Sequence, residues 1–344
     1  MTTAVIGELA EAARAAAHSG GAAPDCSGCA RPPEVLADRD DGTVVRHGPA
    51  VAKAHAPATD LLGHRSRVAA AAHPLLRGIL LSPLPSLPSP PLLPLPSPAP
   101  PLLEQRDSGR LITVWPYGTP VDPADPQTAP WEETAVLLAR LHAVEAADLA
   151  DPLPPMRGPA KVARAMLRMR GAVAREHTAF AAVVERAWSG LPPWARGEAP
   201  APASATVCHG DLHLGQLVRH PAPSGPWLLI DVDDLGLGDP AWDLARPAAW
   251  FAAGLLPPEI WQRFLGAYSG ARGAALIERE GTVVADPWPV LDVPARALTV
   301  QTAALSLVKA TAERRVPDEV DEAMIDACAR IASLPAQLES ARPA

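Results

Sequence analysis

Two neighbouring stretches decide the fold of this chain, VCHGDLHLGQLVR at 207–219 and PWLLIDVDDLGLGDPAWDLA at 226–245. Each contains a short apolar run of the kind that forms a strand, at 217–219 and 227–230, and the HPAPSG between them is rich in turn-forming residues. This pattern predicts a β-hairpin. Because a hairpin holds its two ends side by side, the polar residues that flank the two strands should lie close together.

Three of the flanking residues have side chains suited to phosphoryl transfer. The predicted hairpin brings Asp211 and Gln216 next to Asp231, although the two aspartates are 20 residues apart in the sequence. Phosphoryl transfer needs a divalent cation that neutralises phosphate oxygens and a carboxylate that orients the attacking hydroxyl. Mg²⁺ prefers oxygen ligands, of which one or two are protein carboxylates. We therefore predict that Asp231 and the side-chain oxygen of Gln216 bind Mg²⁺, and that Asp211 acts as the base.

These motifs resemble the aminoglycoside phosphotransferase and choline kinase-like family, which has a protein-kinase-like fold. The family pattern is H-G-D-x-x-x-x-N, then a hairpin, then I-D, and then G-D-x-x-x-D-x-A. Its spacing is matched by His209, Gly210, Asp211, Asp231, Gly238, Asp239, Asp243 and Ala245. Gln216 stands where the family usually has Asn, and HGDLHLGQ is similar to the maltose-kinase branch. The resemblance continues in LLARLHAV at 137–144 and, more weakly, at 34–55.

The resemblance implies an α+β, protein-kinase-like bilobal fold with a small β-rich N-lobe and a larger, mainly helical C-lobe. Such a protein would use ATP or GTP together with Mg²⁺ to phosphorylate a hydroxyl of a small molecule, either aminoglycoside-like, an amino alcohol or a sugar. The implied boundaries are an N-terminal helix and loop at 1–33, a nucleotide-binding N-lobe at 34–113 with a Pro-rich insertion at 81–103, a hinge at 114–118, a catalytic and substrate-binding C-lobe at 119–336, and a tail at 337–344.

The same resemblance assigns roles to individual residues. Asp211 would be the catalytic base, and Asp231 with Gln216 would hold the Mg²⁺ that bridges the nucleotide phosphates. Lys53, on the third predicted strand, would anchor the phosphates. The other candidates are Val114, Trp115 and Tyr117 for adenine at the hinge, His213, Asp233 and Asp234 for substrate, and His209, Asp239 and Asp243 for structural support. As adjacent acids, Asp233 and Asp234 could equally form a solvated turn.

The predicted N-lobe departs from the family pattern in two places. The sequence has no glycine-rich G-x-G-x-x-G loop, and Asp40-Asp41-Gly42 offers only a tight hairpin turn. The helix after Lys53 lacks the glutamate that usually pairs with the family's lysine, since it carries Asp60 near its start and then Arg65 and Arg67. The acidic partner of Lys53 is therefore left open.

Hydrophobic spacing predicts further elements along the chain. Residues 4–17 predict a surface helix or a frayed leader. A β-meander and a helix should follow, with strands at 34–39, 43–47 and 50–55, a helix at 59–73, and a later strand at 110–118. The remaining predicted helices are at 131–144, 161–191 with a break near Gly171, 257–270, 293–312 and 317–333.

The composition of the 344-residue chain limits its function class. Hydrophobic residues make up 48% and charged residues 20%, which excludes a fully disordered chain. The net charge of −8 argues against non-specific binding of nucleic acid, which needs a basic surface. Residues 81–103 contain ten prolines, too many for a membrane-spanning helix. We expect a cytoplasmic protein with a small hydroxylated substrate and no nucleic-acid or membrane partner; the sequence leaves the oligomeric state open.

Two other functions remain open from sequence alone. His209, Asp211 and His213 have the residue types of a zinc or manganese site, which would suit a metal-dependent hydrolase. A kinase-like module that binds nucleotide without turnover is suggested by the missing helix glutamate and the Pro-rich insertion. Separately, Cys26-Ser-Gly-Cys29 supplies half of a zinc site, but no second Cys or His pair follows at the usual spacing. A loop with two free thiols is the simpler interpretation of that motif.

Overall fold

The computed structural model describes residues 3–18, 29, 31–39, 42–85, 104–105, 108–125, 128–173, 175–273 and 286–334. Contacts group the chain into two compact units. The first comprises Met1–Ala129, Ala147–Pro154 and Gly215–Asp233, and the second comprises Pro130–Ala146, Pro155–Leu214 and Asp234–Ala344. Four sequence features lie outside the described residues: the turn at Asp40-Asp41, residues 86–103 of the Pro-rich insertion, Cys26, and the tail at 337–344.

The strands are β1 (Glu34–Arg39), β2 (Gly42–His47), β3 (Ala50–His55), β4 (Glu104–Gln105), β5 (Leu111–Pro116), β6 (Thr119–Pro120), β7 (Thr206–Cys208), β8 (Leu217–Arg219), β9 (Trp227–Leu229) and β10 (Gly236–Gly238). The helices are α1 (Thr3–Ala17), α2 (Leu61–Ala72), α3 (Trp131–His142), α4 (Gly158–Ala172), α5 (Thr178–Ser189), α6 (Ala241–Ala252), α7 (Pro258–Arg272), α8 (Trp288–Glu313) and α9 (Glu319–Ser333). Among these helices, none combines the length and the apolar composition that crossing a bilayer requires.

The first unit is built on an antiparallel sheet with the strand order β1-β2-β3-β5-β4. The three strands predicted for the β-meander are confirmed as β1, β2 and β3. Side chains alternate along β3, so Ala52 and Ala54 enter the core while Lys53 lies on the opposite face. Lys53 is paired in register with Val44 of β2 and Thr113 of β5. The sheet therefore fixes the face on which the candidate phosphate-anchoring lysine lies.

Helix α1 packs on the face of this sheet that is turned away from Lys53. Its apolar stripe recurs at helical spacing and is buried, with Val5 and Leu9 one turn apart. The stripe and its partners on the sheet are Val5, Leu9, Ala12, Ala13, Val45, Ala52, Ala54 and Ile112. The predicted helix at 4–17 is confirmed as a surface helix with one face in the core, and the alternative of a frayed leader is wrong.

The predicted hairpin is confirmed as β8 and β9, which pair in antiparallel register. Its second strand also joins the first unit through the backbone, since Leu229 exchanges hydrogen bonds with Ile79 and Leu81. The strand predicted at 110–118 is confirmed as β5, which ends at Pro116, and β6 then pairs with β8. Sequence patterns do not predict β6, since two residues are too few to show a period.

The second unit is helical, and its core forms where α4, α5, α6, α8 and α9 meet. The predicted helices at 131–144, 257–270, 293–312 and 317–333 are confirmed as α3, α7, α8 and α9. The stretch at 161–191 is two helices, α4 and α5, which separate after Ala172. Sequence patterns do not predict α6, because Pro247 lies inside it. They also miss β10, whose Gly-Leu-Gly sequence has little strand propensity.

Candidate functional site

In the first unit, a lysine and two aspartates meet where β9 ends. The Nζ of Lys53 lies 2.5 Å from Oδ1 of Asp231 and 3.1 Å from Oδ2 of Asp233. Asp231 has a φ of 64°, a left-handed conformation that residues other than glycine rarely adopt. Strained positions of this kind concentrate at functional sites. Gln216, immediately before β8, donates from Nε2 to Oδ2 of Asp231 at 3.4 Å.

The charges of this cluster support one another. Burial disfavours the charged form of Lys53, but the carboxylates of Asp231 and Asp233 outweigh burial and raise the pKa of Lys53 above its ordinary value. Burial also opposes ionisation of Asp233, yet the charges of Lys53 and His55 hold the pKa of that carboxyl well below its usual range. At neutral pH the lysine is therefore protonated and Asp233 is ionised.

A chain of buried polar groups connects this cluster to β5. The Nε1 of Trp115 donates to Oγ1 of Thr113 at 2.8 Å, and that oxygen lies 2.8 Å from Nε2 of His55. The Nδ1 of His55 lies 3.0 Å from Oδ1 of Asp233. His64, on α2, packs against His55 with their Nε2 atoms 3.2 Å apart, and burial lowers the pKa of His64 to about 3. At neutral pH, α2 thus turns an uncharged histidine toward the acid that pairs with Lys53.

Two acids, Asp231 and Asp233, pair with Lys53 and answer the question of its acidic partner that the sequence left open. The acid on α2, Asp60, serves instead as the N-cap of that helix and accepts hydrogen bonds from the backbone of Leu62 and Gly63. Contact of Asp233 with substrate remains a prediction; its two carboxylate oxygens lie against Lys53 and His55 of this chain. An acid from the segment after β9 takes the place of the expected helix glutamate.

Asp231 and Gln216 form a donor set that fits Mg²⁺. A carboxylate and an amide stand 3.4 Å apart, and both can offer oxygen, the ligand that Mg²⁺ prefers. The nitrogen and oxygen of an amide exchange places when the group is flipped, so Oε1 of Gln216 can face the same position as Nε2. The role of the two residues as metal ligands remains a prediction that their chemistry favours.

In the second unit, the loop after β7 is held by one buried carboxylate. Asp243 accepts hydrogen bonds from the backbone N–H groups of His209 at 2.6 Å and Gly210 at 2.7 Å, and it lies 3.1 Å from Nε2 of His142. Burial raises the pKa of Asp243, but the hydrogen bond with His142 and its charge outweigh burial, so the net pKa is lowered. Asp239 accepts from the first N–H of α6 at 2.9 Å. These contacts are those of loop and helix supports, the role predicted for Asp239 and Asp243.

Gly210 is needed for this loop on two counts. Its φ is 83°, and a Cβ at its position would lie 2.3 Å from the carbonyl oxygen of Asp234. A side chain would therefore be strained in conformation and would collide with backbone. The close approach holds the loop that carries Asp211 against the segment that carries Asp234.

Asp211 is clamped between two cations of the second unit. Its Oδ2 lies 2.7 Å from Nζ of Lys161, and its Oδ1 lies 3.0 Å from Nη2 of Arg246. Burial raises the pKa of Asp211, but the charges of Lys161 and Arg246 outweigh burial and hold it well below its usual range. Lys161 also lies 2.8 Å from Asp234, and Arg157 lies 2.6 Å from the other oxygen of Asp234. Contact of Asp234 with substrate remains a prediction, and in this structure both of its oxygens are paired with cations of this chain.

The sequence matches a family model described as the phosphotransferase enzyme family over residues 89–282, which is more than half of the chain. The chain belongs to the phosphotransferase enzyme family. Comparison with curated proteins gives no significant match. Asp211 and the cluster around Lys53 are therefore the candidate residues for phosphoryl transfer in this chain.

Solved structures of other phosphotransferases share the fold. A choline/ethanolamine kinase family protein from Mesorhizobium loti has a TM-score of 0.53 at 15% identity, with 94% of this chain and 95% of that chain covered. Choline kinase from Cryptosporidium parvum has a TM-score of 0.55 at 9% identity, with 87% of each chain covered. A spectinomycin phosphotransferase bound to ADP and spectinomycin has a TM-score of 0.52 at 13% identity, with 90% and 91% covered. The α+β, protein-kinase-like fold with a β-rich N-terminal region and a helical C-terminal region is confirmed.

In the segment at 114–118, which the sequence predicts to be a hinge, several backbone groups form hydrogen bonds within the chain. The N–H of Tyr117 donates to the carbonyl oxygen of Pro49 at 2.7 Å, and the carbonyl oxygen of Tyr117 lies 3.1 Å from Nδ1 of His220. The carbonyl oxygen of Val114 accepts from Leu84 at 2.9 Å. The indole N–H of Trp115 is bound to Thr113, as described above. Adenine pairing by Val114, Trp115 and Tyr117 remains a prediction, and these atoms would have to exchange their present partners.

Two small pockets of the second unit adjoin the loop of Asp211. The first is lined by Asp211, Lys161, Arg246 and Gln301, among others, and Oε1 of the buried Gln301 has no hydrogen-bond partner among the residues described. The second is lined by apolar and aromatic side chains around His213. Contact of His213 with a substrate remains a prediction, and its position in this pocket is compatible with it.

Sequence reasoning missed the residues that pair with the predicted site residues and shift their pKa values. Lys161 shows one signal, since the chain has only three lysines, at 53, 161 and 309. No motif marks Arg157, Arg246, His55 or His64. The hydrolase alternative gains no support, because the groups of His, Cys, Asp and Glu that could hold one ion in the described part of the chain do not include Asp211.

Proposed function

We propose that the chain transfers the γ-phosphate of ATP, or of GTP, to a hydroxyl of a small molecule in the cytoplasm. The observation that carries the proposal is an ionised Asp211 on a loop fixed by Asp243, in a chain of the phosphotransferase enzyme family. A carboxylate held in this way can orient a hydroxyl for attack on a phosphoryl group.

In the proposed mechanism, the cluster of the first unit binds the triphosphate. Lys53 is protonated and can pair with phosphate oxygens. Asp231 and Gln216 would hold Mg²⁺, which when bound neutralises charge on the phosphates and the leaving group. Asp233 keeps Lys53 in place, and His55 in turn keeps Asp233 in place through the 3.0 Å contact between them.

Asp211 acts on the acceptor hydroxyl by accepting its hydrogen bond. Its lowered pKa makes it a weak base, so it is better suited to orienting the hydroxyl than to removing its proton before attack. The loose transition state of phosphoryl transfer is compatible with late proton removal, because little charge builds on the attacking oxygen. Lys161 and Arg246 hold the carboxylate ionised and fix its direction.

The surroundings of Asp211 also favour one class of acceptor. Lys161 and Arg246 line the pocket beside it, while Asp234 is already neutralised by Lys161 and Arg157. Cations repel an ammonium group, whereas the unpaired Oε1 of Gln301 can accept a hydrogen bond from a hydroxyl. We propose a neutral polyol or sugar, or an acid that bears a hydroxyl, in preference to a polyamine such as an aminoglycoside.

Release of nucleoside diphosphate tests the function. Purified protein with Mg²⁺ and ATP or GTP would be supplied with sugars, polyols, hydroxy acids, amino alcohols and aminoglycosides in turn. We expect acceptor-dependent release with at least one of the first three classes. The matched control is Asp326→Asn, since Asp326 is an exposed acid on α9.

Two results would contradict the proposal. One is nucleotide binding with no acceptor-dependent release across the whole panel, which would favour the inactive module considered from sequence. The other is release that Asp211→Asn leaves at the rate of Asp326→Asn, which would move the chemistry away from Asp211. A preference for aminoglycosides alone would refute only the proposed acceptor class.

A further inference from the structure

A third cluster of chemically active side chains lies in the first unit, apart from the residues assigned to phosphoryl transfer. The Sγ of Cys29 lies 3.2 Å from Nε2 of His18 and 3.5 Å from Nε2 of His47. The three atoms all lie within 4.8 Å of one another. His18 directly follows α1 and His47 ends β2, so residues far apart in the sequence converge on one point.

These distances are those of ligands around one tetrahedral zinc ion. With Zn–N near 2.1 Å and Zn–S near 2.3 Å, a tetrahedron places sulfur and nitrogen about 3.6 Å apart. The observed separations of 3.2 Å and 3.5 Å need only a small expansion to admit the ion. Two imidazoles and a thiolate are also ligands for which zinc has high affinity.

The other two clusters of this kind in the described residues are chemically different. His142, Cys208 and Asp243 are fully buried, and Asp243 is already bound to the loop after β7. Burial raises the pKa of the Cys208 thiol well above its ordinary value, which disfavours the thiolate that zinc requires. In the cluster of His55, His64 and Asp233, the acid is neutralised by Lys53.

Cys29 differs from Cys208 because it is exposed, so its sulfur is accessible to a metal ion from solvent. His47 is buried and His18 half-buried, so the ion would be shielded on one side by protein. The site needs one further ligand to be four-coordinate. A water molecule can supply the fourth ligand, and the protein ligands of the proposed site are His18, Cys29 and His47.

We propose that His18, Cys29 and His47 bind a structural zinc ion. The ion would cross-link the end of α1 to the end of β2, and so hold the helix on the sheet at one extremity of their shared core. It would act on stability and leave phosphoryl transfer unchanged, because none of the three residues belongs to the candidate functional site. The three ligands come together only in the folded chain. The free energy of zinc binding would therefore add to the stability of the folded state.

The test uses the full chain without a polyhistidine tag, reconstituted with zinc and then dialysed. Zinc content is measured by mass spectrometry of the metal, and thermal unfolding is followed with and without a chelator. We expect about one zinc per chain, a lower unfolding temperature after chelation, and a thiolate-to-metal charge-transfer band when cobalt replaces zinc.

Cys29→Ser and His18→Gln are the informative variants, because both residues are accessible and their substitution should not unfold the chain. Each should weaken zinc binding by at least about 100-fold, since loss of an outer partner of a metal ligand alone costs 10- to 100-fold. The matched control is His73→Gln, another half-buried histidine of the first unit, which should retain the metal. Zinc-free protein after reconstitution, or full zinc retention by both variants, would overturn the proposal.

Discussion

Each of the two units contains a lysine held between two aspartates, and the two arrangements differ in what lies around them. Lys53 lies between Asp231 and Asp233, with neutral His64 nearby. Lys161 lies between Asp211 and Asp234, with further cations, Arg246 and Arg157, on the outer sides of the acids.

The difference separates two tasks. In the first cluster Lys53 faces two acids and His64 is uncharged, and Asp231 with Gln216 offers the oxygen ligands that suit a divalent metal. In the second cluster three cations face two acids, which leaves Asp211 firmly ionised and its surroundings positive. A lysine between two aspartates can therefore serve either to bind a nucleotide with its metal or to fix a carboxylate. The charges around the three residues decide which of the two it does.

The largest expected effect is on turnover, at Asp211. Asp211→Asn keeps the size of the side chain but removes the charge that orients the acceptor hydroxyl. We expect kcat to fall by about 10³-fold, within the range for loss of a catalytic acid or base, while nucleotide binding persists. Initial rates of diphosphate release would measure kcat, and equilibrium titration with nucleotide would measure binding. A variant as active as Asp326→Asn would show that the second cluster has no part in the reaction.

Lys53 should affect nucleotide binding and stability together. Lys53→Met removes the cation that faces Asp231 and Asp233, and its side chain is only 14% exposed. Because the two acids lose their partner, we expect the free energy of unfolding to fall by about 3 kcal/mol, and the KM for nucleotide to rise. Urea unfolding and initial rates would be compared with Lys309→Met, since Lys309 is 67% exposed. Equal behaviour of the two variants would contradict the role given to the first cluster.

Lys161 should change the pH dependence of the reaction. In Lys161→Met the pKa of Asp211 rises toward its ordinary value, because one of the two cations that lower it is gone. The acid limb of the rate profile should then move to higher pH, toward the ordinary aspartate pKa near 3.9, so that activity at pH 4 relative to pH 7.5 falls by up to about two-fold. A profile of kcat from pH 3.5 to 8 would show the change, with Lys309→Met as reference. A shift to lower pH would contradict the clamp.

The smallest expected effect is on stability, at His64. Its pKa of about 3 in the folded chain is below its ordinary value near 6.5, so between these values the unfolded chain binds a proton that the folded chain does not. His64 therefore makes stability fall as the pH drops below 6.5, by up to about 1.4 kcal/mol per pH unit.

His64→Gln should remove this slope and keep a polar group in the cluster. Urea unfolding at pH 7 and pH 5 would show a smaller loss of stability in the variant than in the parent chain. His73→Gln, at the end of α2, should keep the slope of the parent. If His64→Gln loses as much stability as the parent, then His64 is protonated in the folded chain and the first cluster is more positive than argued.

Much of the fold followed from patterns that are local in sequence. The hairpin of β8 and β9 and the meander of β1 to β3 are set by alternation and turns, and the helices of the second unit by their apolar spacing. Helix α6 escaped prediction because Pro247 breaks its pattern, and packing in the core overrides that penalty. The spacing of apolar residues in α1 indicates that one face is buried. It does not indicate that this face packs against the sheet.

The candidate site divides in the same way. Sequence placed these three residues, because Lys53 lies on a predicted strand, Asp231 follows one, and Asp211 belongs to the HGD motif before the predicted hairpin. It could not supply their neighbours, since Lys161 comes from a helix 50 residues before Asp211 and His64 from a helix with no acid motif. The partners of these charged residues are close to them only in the folded chain. Such contacts produce no periodic pattern in the sequence from which they could be predicted.

The bridging position of Lys161 has a consequence for how these residues can vary. One ammonium group serves both Asp211 and Asp234, so replacement of either acid frees the lysine to bind the other more closely. Effects of substitution at the three positions should therefore be non-additive, and a double-mutant cycle between 161 and 234 should return a coupling energy on the order of 1 kcal/mol or more. The cost of a substitution at any one of these three positions should therefore depend on which residues stand at the other two.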